Sequence, residues 1–484
     1  MSARGPVILA IDLGTTEAKA GLIDADGRLL GTARASYPID VDSGHGRAEQ
    51  DPEAWWAALV GIARRLVGNN RERVAAICVV GQGPTMVAVD AHGRATYPAL
   101  TWMDSRATAE APDLERATGL RGWSLGILPA ARWLERNHPE PAAATRWYLN
   151  AWEWAAFRLS GVAAATRSFG QVLPEPAQVA ATGLAAERLP PVAEAGSVLG
   201  ELTANAAEDL GLPAGLPVVA GTVDSFASFH GAGLTDAGDA VDTGGTSGGF
   251  AVYWDHAVQV PGIWAAPAPL PGRWFVGGAM TATGKALDWL DERVLAGGPG
   301  PDALIAEAAG VPPGAGGLVF LPYLAGERSP IWDPAARGAF VGLTLAHGRA
   351  HLARAVLEAA ALALRHLAAP IAEAGIRIDE LTVTGGTARG DTWNQIKADV
   401  LQVPVTVPAV REASVLGAAI LASVGLGWHD DVLAAIRAMS SVDHRLEPDP
   451  SLRATYDELF AVYADLWPAI APIVHRLGGL PPAS

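Results

Sequence analysis

Cysteine is nearly missing. Among 484 residues only Cys78 is present, inside the apolar run Val74-Ala75-Ala76-Ile77-Cys78-Val79-Val80. A disulfide framework is excluded, and the thiol reads as a core residue. Charge is scarce too, at 18% of residues, and it leans acidic: 35 Lys and Arg face 51 Asp and Glu, a net charge of −16. That balance argues against nucleic acid or an anionic membrane as the main partner and leaves room for a local basic pocket only. No apolar run is long and uninterrupted enough to span a bilayer. The opening Met1-Ser2-Ala3-Arg4-Gly5-Pro6 lacks the apolar stretch of a signal peptide. No low-complexity linker is present. The expectation is a soluble cytosolic protein.

Apolar residues, by contrast, make up half of the chain, so large cores can be buried and disorder is excluded. The length suits about two domains. The densest pattern comes first. Ile8-Leu9-Ala10-Ile11-Asp12-Leu13-Gly14-Thr15-Thr16-Glu17-Ala18-Lys19-Ala20-Gly21-Leu22 reads as a buried strand, a tight turn and a second strand. Gly14 would let backbone N–H groups close on an anion, Thr15 and Thr16 add hydroxyl donors, and Lys19 adds a cation. Asp12 repels phosphate but can hold the Mg²⁺ that phosphates share. An ordinary hairpin with polar turn residues is the alternative.

The pattern recurs as Ala240-Val241-Asp242-Thr243-Gly244-Gly245-Thr246-Ser247-Gly248-Gly249-Phe250, with Asp12 and Asp242 230 positions apart, close to half the chain. Two phosphate-type hairpins heading two halves predict a duplicated nucleotide-binding unit, divided into residues 1–237 and 238–484.

Between these hairpins, Arg28 to Ser36 predicts a third strand, Gly44 to Glu53 a polar loop, and Asp51-Pro52 a capped helix start. The strand Val74–Val80 runs into Gly81-Gln82-Gly83-Pro84-Thr85, either a ligand-facing loop or a plain turn. Trp102 with Asp104 and Arg106 can hold a polyol, the indole stacking on C–H faces and the charges pairing with hydroxyls. A surface ion pair beside a packed Trp is the other reading. Trp152, Trp154 and Trp289 read as packing. From Ala107 to about Gly215 the chain reads as helical and Ala-rich. Leu216 to Ala220 is then a buried strand leading through Gly221-Thr222-Val223 to Asp224. Asp224, ahead of an apparent helix, is the candidate general base, with a helix cap as the alternative.

In the second half, Gly277 to Lys285 is not a P-loop, because Ala279 and Ala286 stand where Gly and Ser/Thr are needed. Gly284 would open a helix there. Glu380 to Arg389 repeats the strand, Gly-Gly, helix theme. Gly385 and Gly386 would let backbone approach a flat ligand such as adenosine, and Asn394 could hydrogen-bond the base.

Several segments in order resemble the FGGY carbohydrate kinases. They are Asp12-Leu13-Gly14-Thr15-Thr16, Glu49-Gln50-Asp51-Pro52 with Trp55-Trp56, Trp102-Met103-Asp104-Ser105-Arg106, and Ala220-Gly221-Thr222-Val223-Asp224. Phe320-Leu321-Pro322-Tyr323-Leu324-Ala325-Gly326-Glu327-Arg328-Ser329-Pro330, Gly385-Gly386 and Leu416-Gly417-Ala418-Ala419 complete the set. The resemblance implies an α/β fold of two ribonuclease-H-like lobes of the actin/hexokinase type, with an interdomain cleft and a five-stranded mixed sheet in each lobe. It implies sugar in the first lobe, ATP and Mg²⁺ as cofactors, Asp224 as base, and Asp12 as the residue that positions the metal. Gly14, Thr15, Thr16, Lys19, Gly245, Thr246, Gly284, Gly385, Gly386 and Asn394 would attend ATP. Gln82, Gly83, Pro84, Trp102, Asp104, Arg106 and Asp224 would attend the sugar.

Within the family the set is most similar to the xylulokinase branch, which implies D-xylulose as acceptor. L-ribulose, L-fuculose, gluconate, glycerol or another polyol are the alternatives. Three positions depart from the pattern: Gly83-Pro84 where Met-His is common, Ser225 after the base, and Ala130 in place of a Lys. An actin- or Hsp70-like ATPase switch and a sugar-binding pseudokinase are the rival readings. A small-molecule sugar or polyol is the implied partner, without nucleic acid or membrane, and a homodimer is the family's common habit.

Overall fold

The computed structural model describes residues 5–42, 44–168, 171–244, 248–388 and 390–478. Contacts divide the chain into two units. The first comprises Met1–Gly233, Pro269–Pro271 and Glu412–Ser440, and the second Leu234–Ala268, Gly272–Arg411 and Ser441–Ser484. The break expected at 237/238 thus compares with one at 233/234, and the segment Glu412–Ser440 belongs with the first unit.

In the first unit the chain runs through β1 (Val7–Leu13), β2 (Glu17–Asp24), β3 (Leu29–Ser36), α1 (Pro52–Val67) and β4 (Val74–Gly81). It continues to β5 (Val198–Glu201), β6 (Pro217–Val219), α2 (Asp224–Gly231) and α3 (Ala413–Gly425). The sheet order is β5-β6-β4-β1-β2-β3. Every residue of β1 is buried, as its unbroken apolar run requires for a central strand covered on both faces. Helix α1 starts where expected: Asp51 accepts the Glu53 N–H at 3.0 Å and Pro52 takes the first helical position. Such a cap contributes about 1 kcal/mol. The helix lays Trp55, Leu59 and Ile62 into the core.

Helices α2 and α3 touch backbone to backbone. A Cβ on Gly231 would lie 1.9 Å from the Ala413 carbonyl oxygen, and one on Gly417 1.9 Å from that of Ala227. Only residues without side chains fit at either position.

The second unit holds β7 (Asp239–Gly244), β8 (Gly248–Trp254), β9 (Trp264–Pro267), β10 (Trp274–Met280), β11 (Glu380–Gly385), β12 (Val405–Pro408) and β13 (Val442–Leu446). Their order is β9-β10-β8-β7-β11-β12-β13. The pairing senses repeat. β1 is antiparallel to β2 and parallel to β4, and β7 is antiparallel to β8 and parallel to β11. The expected five strands are therefore a shared core, β3-β2-β1-β4-β6 and β10-β8-β7-β11-β12. Edge strands raise the totals to six and seven.

Two local expectations are corrected. The stretch from Ala107 to Gly215 is not all helical: Trp147–Asn150, Ala165–Arg167, Val192–Glu194 and β5 are strands. Each spans too few residues to show a period of two. The loop before Asp51 contains the strand Arg47–Gln50, paired with Asp40–Asp42 and Ala99–Leu100. Among the described residues one helix, Arg349–Glu373, is long and apolar enough to cross a membrane by length and composition. Most of it lies in the core of the second unit. It carries the buried pair Arg354–Glu358, 2.8 Å apart, and Tyr456 donates to the same carboxylate oxygen.

Candidate active site

In the first unit Asp12 comes near the end of β1, opposite Lys19 across the hairpin and Val80 on the parallel side. Its side chain is buried. Oδ2 accepts from Ser414 Oγ at 2.7 Å, whereas Oδ1 has no hydrogen-bond partner among the described residues. Burial pushes the carboxyl above its usual range, against the pull of the Lys19 charge and the Ser414 bond.

The turn that follows is held from inside the unit. Four successive carbonyls accept bonds: Leu13 from Gln82 N at 2.8 Å, Gly14 from Tyr37 Oη at 2.5 Å, Thr15 from Gln50 Nε2 at 2.8 Å, and Thr16 from Tyr37 N at 3.2 Å. Carbonyls so held do not turn toward an anion. The Gly14 N–H itself closes the turn, donating to Glu17 O at 3.1 Å. The Thr15 hydroxyl accepts from Trp102 Nε1 at 2.9 Å and keeps its own proton to donate. Lys19 is shared between acids, with Nζ 3.8 Å from Glu17 and 3.7 Å from Glu412.

Asp224 is the first residue of α2, just after Val223, which bridges to Gly81. It is not the helix cap, a position held by Val223, and its Oδ1 accepts the Ser225 N–H at 2.6 Å. Desolvation first, and the charge of Asp12 second, raise its carboxyl to about 8. The Asp12 charge also reaches the buried Tyr37 phenol, whose pKa burial pushes far up. Asp12 and Asp224 are thus two carboxyls within electrostatic reach of each other.

Gln82 is buried, donating Nε2 to Gln50 Oε1 at 2.7 Å. Its Oε1 finds no partner among the described residues. Gly83 and Pro84 are half-buried. A Cβ on Gly83 would meet Trp152 Cζ3 at 2.7 Å and Val223 Cγ2 at 3.3 Å. Trp152 therefore does more than fill the core: its indole, anchored by Nε1 on Thr166 Oγ1 at 2.6 Å, occupies the space a side chain at position 83 would need.

Asp104 and Arg106, expected to attend a polyol, also pair with each other and with neighbours inside the unit. Arg106 donates Nε and Nη2 to Asp104 and Nη2 to Glu49 Oε1 at 2.6 Å, and its guanidinium lies 4.4 Å over Trp133. Asp104 also accepts the Ala48 N–H at 2.9 Å. The Asp104 carboxylate is filled by partners from the protein itself, so the pair braces the loop that carries the half-buried Trp102.

In the second unit Asp242 occupies the place in β7 that Asp12 occupies in β1. Its carboxylate is sealed by Lys397 at 2.7 Å, with both side chains almost fully buried. Gly245 and Thr246 lie outside the described residues. Gly385, at φ +68°, brings β11 against β7, where a Cβ would lie 2.1 Å from Gly244 O. Gly386 begins a short turn to Ala388. Asn394 is buried, with Nδ2 donating to Ala388 O at 3.2 Å, while its Oδ1 has no hydrogen-bond partner among the described residues.

Gly284 opens a short helix, Gly284–Trp289. The segment before it is pinned by buried Glu327, which accepts from Thr281 N at 2.8 Å and Thr281 Oγ1 at 3.0 Å. Arg328 adds a bond to Met280 O at 3.0 Å. Lys397, Ser414, Tyr37 and the bracing role of Glu327 were not singled out from the sequence. Nothing local in these residues marks their partners.

Among the described residues no group of three or more His, Cys, Asp or Glu side chains could hold a metal. One buried carboxylate oxygen without a partner, on Asp12, still fits Mg²⁺, which is commonly held by one or two carboxylates with phosphates and waters.

The N-terminal domain of the FGGY family of carbohydrate kinases matches residues 7–231, and the C-terminal domain of the same family matches residues 240–426. The xylulose kinase of Staphylococcus epidermidis is 28% identical over 482 residues, covering 95% of this chain and 96% of that protein. The autoinducer-2 kinase of Klebsiella pneumoniae is 30% identical over 511 residues, covering 95% and 94%. The crystal structure of xylulose kinase from Rhodospirillum rubrum superposes with a TM-score of 0.80 at 32% identity, covering 97% of this chain and 100% of that one.

Proposed function

Because the chain belongs to the FGGY family of carbohydrate kinases and shares its two-domain fold, we propose that it transfers the γ-phosphoryl group of ATP to a hydroxyl of a ketose or polyol, with D-xylulose the first candidate. The observation that carries the reading is the Asp12–Asp224 arrangement. One carboxyl keeps a free buried oxygen; the other stands at a helix start with its proton affinity raised toward neutrality.

In this reading Asp224 accepts the proton of the acceptor hydroxyl as the new O–P bond forms and the bond to ADP breaks. Asp12 holds Mg²⁺, which when bound with ATP neutralises charge on the phosphates. Thr15 donates its remaining hydroxyl proton, Thr16 stands beside it, and Lys19 keeps positive charge near the turn. The first domain, residues 1–237, takes the sugar, and the second, residues 238–484, takes the nucleotide with the Gly385-Gly386 turn. ATP and a free sugar as substrates make the cytoplasm the expected compartment.

A second acceptor class is kept because the 30% identical relative is an autoinducer-2 kinase, and because Trp152 stands against Gly83. The test is ADP release with ATP and Mg²⁺ against ketopentoses, ketohexoses, polyols, aldonates and autoinducer-2, with Asp224→Asn alongside. One acceptor well above the sugar-free background, lost in the variant, supports the reading. A flat panel with slow basal hydrolysis in both proteins refutes it.

A further inference from the structure

Asp12 has two carboxylate oxygens in unlike situations. Oδ2 accepts a 2.7 Å bond from Ser414 Oγ, while Oδ1 is buried and unpartnered among the described residues. A buried acceptor left without a partner is costly, so the arrangement fits a site that a ligand completes. Asp242, its counterpart in the second unit, shows the contrasting solution, in which Lys397 neutralises the carboxylate from within the fold.

We propose that Ser414 is a positioning residue for Asp12: its hydroxyl holds Oδ2 so that Oδ1 is presented to the divalent cation that accompanies the nucleotide. The inference rests on the kinase reading. A serine suits the task because it donates one hydrogen bond without bringing a charge that would compete with the cation. The donor is also fixed in place. Ser414 lies in the first turn of α3, and α3 is locked on α2 by the Gly231–Ala413 and Gly417–Ala227 backbone contacts. One rigid helix pair thus carries Asp224 at the start of one member and the Asp12 donor at the start of the other.

The test uses Mn²⁺ as a spectroscopic probe, titrated into the full-length protein with ADP while the free-ion resonance is followed, for wild type, Ser414→Ala, Ser414→Cys and Asp12→Asn. Loss of the oriented bond should weaken Mn²⁺ binding by roughly 10- to 100-fold in both Ser414 variants, while metal-free ADP affinity stays at the wild-type value. Ser414→Cys keeps most of the volume and only a weak donor, so it separates a lost bond from a packing defect if Ser414→Ala is unstable. Wild-type Mn²⁺ affinity in the Ser414 variants, with the affinity lost in Asp12→Asn, would overturn the positioning role alone. Unchanged affinity in Asp12→Asn as well would overturn the metal assignment on which the role depends.

Discussion

Lys397 Nζ lies 2.7 Å from Asp242 Oδ2, and both side chains are almost wholly withdrawn from solvent. Helix Asp391–Leu401 supplies the lysine and β7 the aspartate. The ion pair ties the helix that follows the Gly385-Gly386 turn to the central strand of its sheet. The same position in the other sheet, Asp12, is met by a neutral hydroxyl. A duplicated hairpin has thus been put to two uses, one sealed and one with an oxygen to spare.

Removing Lys397 leaves a buried carboxylate without its cation. Lys397→Met should destabilise the protein by about 3–5 kcal/mol, read as a shift of the urea midpoint. The double variant Lys397→Met with Asp242→Asn should recover a good part of that loss, because the uncompensated charge is gone. A double variant as unstable as the single one would show that packing, not charge, dominates there.

The raised proton affinity of Asp224 links folding to pH. Its carboxyl goes from an ordinary value of 3.8 to about 8 in the folded protein, so the native state binds a proton that the unfolded chain releases. The stabilising contribution is complete below pH 4 and is lost as pH rises through about 8. In the absence of ligands, the stability of wild type minus that of Asp224→Asn should therefore fall between those limits. A flat difference curve in chemical denaturation would contradict the shift.

The same group governs rate. A general base acts when deprotonated, so kcat/KM should rise with pH, pass its midpoint at about 8, the value for the free protein, and level off above it. Asp224→Asn should lower turnover by about 10²–10⁴-fold. Asp12 is the second cause of the shift after desolvation. The residual activity of Asp12→Asn should accordingly reach its plateau at a lower pH, and an unchanged limb would separate the two carboxyls.

The two hairpins could be read from sequence because their information is local: an apolar run, an Asp, then Gly and Thr. The helix start at Asp224 was legible for the same reason. What the residues did with their side chains was not. Arg106 finds Glu49 as well as Asp104, so a third residue, from a distant strand, joins the pair that has the look of a polyol clamp. Lys397 looks like a surface lysine on a helix until β7 places Asp242 under it. Trp152 reads as core from its neighbours, and only the loop at Gly83 shows what its indole excludes. Spacing along the chain carries periodicity and turns; it does not carry which strand edge or helix start a long side chain will meet.

Two glycines in helices make opposite predictions. At Gly417 an added Cβ would sit 1.9 Å from the Ala227 carbonyl oxygen, a backbone atom that no rotamer change can move. Gly417→Ala should cost at least about 1–3 kcal/mol by overpacking, and it should push α2, with Asp224 at its start, out of place. Turnover should then fall together with stability. At Gly61, exposed in the middle of α1, a Cβ would have nothing within 4 Å. Gly61→Ala should stabilise the protein by about 0.5–1 kcal/mol through helix propensity, with turnover unchanged. Thermal unfolding and ADP release measured on both variants check the pair. Equal behaviour would mean that the α2–α3 contact yields without cost, and with it the rigidity attributed to that helix pair.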